Sequence, residues 1–306
     1  MSAKIEFHGS DIEKVCEIYG LRREDIIMFG ANVNPLGLSE HVKEQLAGRL
    51  DILSSYPDRN YTSLCSTISE YCNIPAEFIL PGNGSSELIA LLIQERNPKH
   101  TLILGPTYSE YARELSFSGS TQEYYHLREE DNFVLNVDDL CHTLEGKYDF
   151  LILCNPNNPT GCAYGREALL SLFDGVRAAG GALLVDEAFI DFCPERTVAD
   201  AAAGMQGLYV AGSLTKSLGV PGIRLGYLVG GAEWIARAQE AAGPWPLNCA
   251  ALAIAEALPC HAAQLREEAA QNALRRVQLA EGLRSLGARV YPSEANFLLA
   301  DFGVAL

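Results

Sequence analysis

A chain of 306 residues with 48% apolar content is long enough for one large domain and a smaller one. Its formal charge of −16 argues against a nucleic-acid partner, because phosphate backbones attract basic surfaces. The nine cysteines are odd in number and include no Cys-x-x-Cys pair, so reduced thiols are expected rather than a disulfide framework. The first ten residues lack the apolar core of a signal peptide, and no apolar run reaches membrane-spanning length. A soluble, cytoplasmic protein is expected.

Short apolar runs alternate with longer amphipathic segments. Strands are predicted at Phe78–Leu80, Thr101–Leu104, Phe150–Cys154, Ala182–Val185, Leu208–Ala211 and Leu225–Val229. Helices are predicted at Ser86–Arg96, Tyr108–Phe117, Arg166–Ala179 and Ala232–Ala241. This alternation implies an α/β fold, a mostly parallel sheet with helices on both faces. An alanine-rich helical tract from Asn248 to Leu286, interrupted near Pro259, precedes strand-like Arg289–Tyr291 and Asn296–Ala300. That change marks the entry to a second, α+β domain. The chain shows no internal repeat and no low-complexity linker.

Ligands of open parallel sheets gather at the carboxyl ends of the strands. Asn158 follows the third predicted strand, Asp186 ends the fourth and Ser213 follows the fifth. Ser213 begins Ser213-Leu214-Thr215-Lys216, and Arg224 stands eight residues past the lysine. A lysine framed by buried strands is costly unless neutralised or paired, and condensation with an aldehyde removes that cost. Ser-x-x-Lys also occurs in penicillin-binding proteins, but their Ser-Asp-Asn and Lys-Thr-Gly are missing. Upstream, Gly82-Asn83-Gly84-Ser85-Ser86-Glu87 leads from a strand into a helix, where glycines and free N–H groups suit an anion. The same residues also fit an ordinary capped strand–helix turn. A dinucleotide fingerprint is disfavoured, since Glu87 stands where a third glycine belongs. Asp186 likewise fits a helix cap, and Asn158 a turn residue of Asn155-Pro156-Asn157-Asn158-Pro159-Thr160-Gly161.

Lys216, Arg224, the Asn155–Gly161 loop and Asp186-Glu187-Ala188-Phe189 together resemble the fold-type I pyridoxal 5'-phosphate (PLP) enzymes, the aminotransferase class I/II superfamily. The resemblance implies a large PLP-binding domain with a mostly parallel seven-stranded sheet, over residues 36–240. It further implies an N-terminal arm over 1–35 and a partial small domain over 241–306, shortened at its C-terminal end. Lys216 would carry the cofactor and Asp186 would pair with its ring nitrogen. Gly84, Ser85, Ser86, Ser213 and Arg224 would hold its phosphate, Asn158 the ring hydroxyl, and Tyr108 would stack on the ring. Tyr56 would reach the cofactor of a second subunit, which implies a homodimer with shared sites. Either tyrosine also fits an ordinary core or interface position.

Many members carry Tyr where this chain has Phe189. His8-Gly9-Ser10-Asp11-Ile12, Asn32-Val33-Asn34-Pro35 and Asp186–Phe192 resemble the threonine-phosphate decarboxylase branch, with histidinol-phosphate aminotransferases next. There His8, Gly9, Asn32 and Asn158 would bind a small phosphorylated amino acid. No metal is expected. The expected activity is decarboxylation of threonine phosphate in cobalamin synthesis. Histidinol-phosphate transamination is the alternative. A shortened chain without the usual C-terminal arginines gives a further one, a PLP-binding protein without catalysis.

Overall fold

The computed structural model describes residues 11–30, 32–34, 36–144, 146–256 and 258–304. Its central sheet contains β1 (Ile79–Gly82), β2 (His100–Gly105), β3 (Thr121–His126), β4 (Phe150–Cys154), β5 (Ala182–Glu187), β6 (Leu208–Ser213) and β7 (Gly226–Val229). The spatial order is β1-β7-β6-β5-β4-β2-β3. Strands β2 to β6 run parallel to one another, whereas β7 lies antiparallel between β1 and β6. The expected mostly parallel seven-stranded sheet is present.

Alternation along each strand divides the core into two layers. Leu151, Leu153, Leu183, Val185 and Val210 face one layer, where the helix Arg166–Ala178 contributes Leu169, Leu172, Phe173 and Val176. Ile152, Leu184 and Ala211 face the other, where the helix Ser85–Arg96 contributes Leu88, Ile89, Leu92 and Ile93. The central strands are apolar on both sides because helices cover both.

Several boundaries differ from the sequence reading. Strand β5 continues to Glu187 and β6 to Ser213, so Asp186 is the penultimate residue of its strand and Ser213 the last of its own rather than beyond it. Strand β3, Thr-Gln-Glu-Tyr-Tyr-His, escaped the reading because it is a polar edge strand exposed along most of its length. The helical tract splits into Cys249–Ala255 and Leu258–Ser285. Pro259 is the second residue of the later helix, where a missing N–H costs little. The strand expected over Asn296–Ala300 is confined to β9 (Ala300–Asp301), which pairs antiparallel with β8 (Arg289–Val290). The residues before it are turned instead: Ser293 Oγ donates to Phe297 O at 2.6 Å and Arg276 Nη1 to Ala295 O at 2.7 Å. No described helix is long and apolar enough to cross a membrane.

Glu187 closes β5 with its carboxylate buried to 1% exposure. It accepts from Thr197 Oγ1 at 2.6 Å and from Val198 N at 2.8 Å, which pins the loop after the strand. Burial raises its pKa from 4.5 to about 8 against these two bonds. The folded chain therefore binds this proton more tightly than the unfolded one, and stability falls as pH rises from about 4.5 to about 8. In urea titrations of the cofactor-free protein Glu187 should contribute roughly 3–5 kcal/mol of the decline across this window, which Glu187→Gln should remove, leaving the part confined below about pH 6 that Asp186 contributes.

Candidate active site

Asp186 and Lys216 lie at the carboxyl ends of the neighbouring strands β5 and β6. Asp186, on β5, is 3% exposed. Tyr111 donates its hydroxyl to Oδ2 at 2.5 Å, and Ala188 N donates to Oδ1 at 3.1 Å. Burial raises the Asp186 pKa from 3.8 to about 6, while these two bonds and the Lys216 ammonium oppose the rise. At neutral pH the group is a buried anion facing a cation. Glu187 points to the opposite layer, as alternation along the strand requires.

Lys216 follows β6 and is half-buried. Burial and then the nearby Arg224 guanidinium push its pKa down, and Asp186 partly restores it. The lowered pKa leaves more free amine at neutral pH, the form that attacks a carbonyl. Nζ lies over the Phe189 ring, 5.7 Å from its centroid, and Phe297 meets that ring edge-on at 5.0 Å. The phenylalanine thus offers the amine an apolar face without a hydroxyl.

Arg224 adopts a left-handed backbone, φ 58°, uncommon outside glycine. This turn lays its guanidinium against Gly84, where a β-carbon would come within 2.3 Å of Nη2. Gly84 caps the helix Ser85–Arg96 at φ 86°. A β-carbon on Gly226 would stand 2.5 Å from Ser85 N and 2.8 Å from Gly84 C. Gly226 pairs with Ser213 across the β6–β7 ladder, and Ser213 Oγ shares a hydrogen bond with Thr215 Oγ1 at 2.9 Å. Helix N–H groups, serine hydroxyls and a guanidinium therefore converge where glycines permit close approach, a donor set suited to a phosphate dianion. The expected residues Gly84, Ser85, Ser86, Ser213 and Arg224 meet here.

Tyr108 is half-buried, hydrogen-bonded to Ser86 and within the field of Asp186 and Arg224. It packs edge-on against Tyr111 at 5.6 Å. Asn157 supports its loop by donating Nδ2 to Pro106 O at 2.9 Å and accepting from Thr107 Oγ1 at 3.1 Å. Half-buried Asn158 lies beside the end of β4, its N–H directed at the Cys154 sulfur. Cys154 is in register with Asp186, so Asn158 shares this neighbourhood. Asn32 is half-buried, and Asn34, two residues on, bonds Lys216 O through its main-chain N–H at 2.8 Å. Tyr56 stands apart: it is 79% exposed and packs on Trp245 with ring centroids 4.6 Å apart. His8 and Gly9 lie outside the described residues.

Tyr111, Asn157, Gly226 and Asn34 were missed in the sequence. Tyr111 left one signal, its place three residues after Tyr108 in the helix predicted over Tyr108–Phe117; the helix begins instead at Glu110, so Tyr108 lies in the loop before it.

The Aminotransferase class I and II family model matches residues 24–306. The chain belongs to this aminotransferase family. Threonine-phosphate decarboxylase of Salmonella typhimurium is 37% identical over 95% of this chain and 81% of that protein. Histidinol-phosphate aminotransferase of Methanococcoides burtonii is 31% identical over 96% of this chain and 80% of that protein. Among solved structures, the histidinol-phosphate aminotransferase of Clostridium acetobutylicum superimposes with a TM-score of 0.81 at 28% identity, covering 88% of this chain and 81% of that one.

The cofactor of this aminotransferase-family chain is PLP, and the residues present fit it. The Gly84 and Gly226 cradle has phosphate donors and no room for a β-carbon, and the buried Asp186 anion suits a protonated ring nitrogen. Gly226→Ala drives a methyl group into backbone rather than into a movable side chain. Fluorescence titration should show PLP affinity falling about tenfold or more in this variant.

Proposed function

We propose that this protein is a PLP-dependent decarboxylase that converts L-threonine O-3-phosphate to (R)-1-amino-2-propanol O-phosphate, a step of cobalamin biosynthesis. The observation that carries the chemistry is one half-buried lysine, its pKa depressed, set between the Asp186 carboxylate and the Arg224 guanidinium. The substrate assignment rests on the 37% identity to the Salmonella decarboxylase along nearly the whole chain.

PLP, when bound, supplies an aldehyde that a primary amine can join and a ring that accepts the electron pair of a bond broken at the substrate's α-carbon. Lys216 would hold it covalently. Gly84, Ser85, Ser86, Ser213 and Arg224 would grip its phosphate, Tyr108 would cover a ring face and Asn158 would bond the ring hydroxyl oxygen. Asp186 would keep a proton on the ring nitrogen, and the Tyr111 and Ala188 donors keep Asp186 aimed. His8, Gly9, Asn32 and Asn158 would orient the substrate's phosphate and carboxylate. By fixing the carboxylate, these four residues would select the carbon–carboxylate bond, rather than the carbon–hydrogen bond, as the one to be broken. Carbon dioxide leaves, and Lys216 would deliver the proton that takes its place. Phe189 adds no hydroxyl beside the amine.

The active form we propose is a cytoplasmic homodimer in which Tyr56 of each subunit reaches the other's cofactor phosphate. Its exposure and its stacking on Trp245 support this reading. Histidinol-phosphate transamination is the second reading, favoured by the 31% identity to the Methanococcoides enzyme.

Wild-type protein with PLP should show a visible absorbance band that Lys216→Ala abolishes. Stoichiometric carbon dioxide release from threonine phosphate should accompany it, falling at least about a thousandfold in that variant. Amino transfer from histidinol phosphate to a 2-oxo acid without gas would replace the decarboxylase assignment. Cofactor binding with neither reaction would leave a non-catalytic PLP protein.

A further inference from the structure

The side chain of Lys216 has four rotatable carbons, so its reach is set by where its backbone is held. The loop that carries it makes its own turn: Val220 N donates to Thr215 O at 3.0 Å and Gly219 N to Lys216 O at 3.3 Å. Those bonds fix the shape of the loop but not its placement over the site. One residue of the N-terminal segment, through its main chain and its side chain, ties the loop to the rest of the structure. Asn34, 8% exposed, donates its main-chain N–H to Lys216 O at 2.8 Å and its Nδ2 to Ser217 O at 3.0 Å. The same Nδ2 donates to Glu268 Oε2 at 2.7 Å, and Glu268 Oε1 accepts from Gln264 at 2.8 Å. Oδ1 of Asn34 accepts Leu36 N at 3.1 Å, so the amide uses both of its donor hydrogens and its oxygen. Below it, Gly219 sits at φ 66°, and a β-carbon there would meet Gly37 Cα at 2.7 Å. The N-terminal segment is thus pressed against the lysine turn and tied through Glu268 to the long helix Leu258–Ser285.

We propose that Asn34 is a positioning residue for Lys216, clamping the carbonyls of residues 216 and 217 and linking them through Glu268 to the long helix. The inference rests on the reading of Lys216 as the amine that carries PLP. A buried amide whose donors are all spent on two loops and a helix resists replacement, because each lost bond leaves a carbonyl or carboxylate without its donor. Asn34→Asp is the sharpest change. It keeps the volume and places an oxygen where Nδ2 faced Ser217 O and the Glu268 carboxylate, turning two attractions into two repulsions. Glu268→Gln in the same chain restores a donor toward residue 34 on one side.

The test compares wild type, Asn34→Asp, the Asn34→Asp/Glu268→Gln double variant and, should the first fail to fold, Asn34→Ala. In Asn34→Asp, PLP affinity should fall about tenfold or more, and kcat should drop more than KM rises. The pH midpoint of the visible band of bound PLP should move as well. Amide hydrogen exchange over residues 214–220 of the PLP-free protein should speed up, and the double variant should recover part of each effect. Unchanged affinity, band midpoint and exchange in Asn34→Asp would overturn the proposal. So would a loss of thermal stability alone, with the bound spectrum and kcat kept. If wild type shows no Lys216-dependent band, the reading of Lys216 fails. The exchange experiment then decides alone, with faster exchange supporting the clamp and unchanged exchange overturning it.

Discussion

A carboxylate buried at the end of a parallel strand must be paid for by donors and an opposing charge, and Asp186 has both. Tyr111 and Ala188 supply hydrogen bonds, and Lys216 supplies the positive field. Removing water from the site makes these interactions stronger than they would be at the surface. The arrangement constrains the neighbourhood widely. The helix bearing Tyr111 must pack on the same layer as Leu184, and the end of β4 must bring Cys154 into register with Asp186.

The charge pattern around this carboxylate is local. The chain carries a formal charge of −16, yet the wall beside Asp186 holds the Lys216 and Arg224 cations together. Burial and then this neighbouring cation lower the lysine pKa, and that penalty has a chemical use, since an amine must lose its proton before it can attack. The left-handed backbone at Arg224 belongs to the same design. It spends local conformational energy to bring a guanidinium against the mouth of a glycine-capped helix.

Much of this was legible in the residues. The apolar runs that became β4, β5 and β6 are buried on both faces, so their sequence is apolar throughout and their order follows from the strand–helix alternation. Asp186 and Lys216 fell at the carboxyl ends of β5 and β6, and the glycine-serine turn at that of β1, where such sheets collect their ligands. The rest was hidden for physical reasons. Strand β3 is a solvent-facing edge and has no apolar signature. Asn296–Leu299 has strand-like composition but is turned by Ser293 and held by Arg276 through hydrogen bonds remote in sequence. Asn34 and Glu268 are separated by most of the chain, and nothing in either local pattern announces that they meet. Tyr56 was read for its position relative to a second subunit, which a single chain does not contain.

The antiparallel placement of β7 between β1 and β6 has a further bearing on assembly. The glycine-capped helix that offers its N–H groups leaves β1, whereas the guanidinium arrives just ahead of β7, a strand made much later during synthesis. Among the described strands β1 pairs with β7 alone, so the helix mouth that follows β1 and the guanidinium ahead of β7 are held to the rest of the sheet through β7. The two halves of this anion-suited mouth, far apart in sequence, thus share one strand as their common mount.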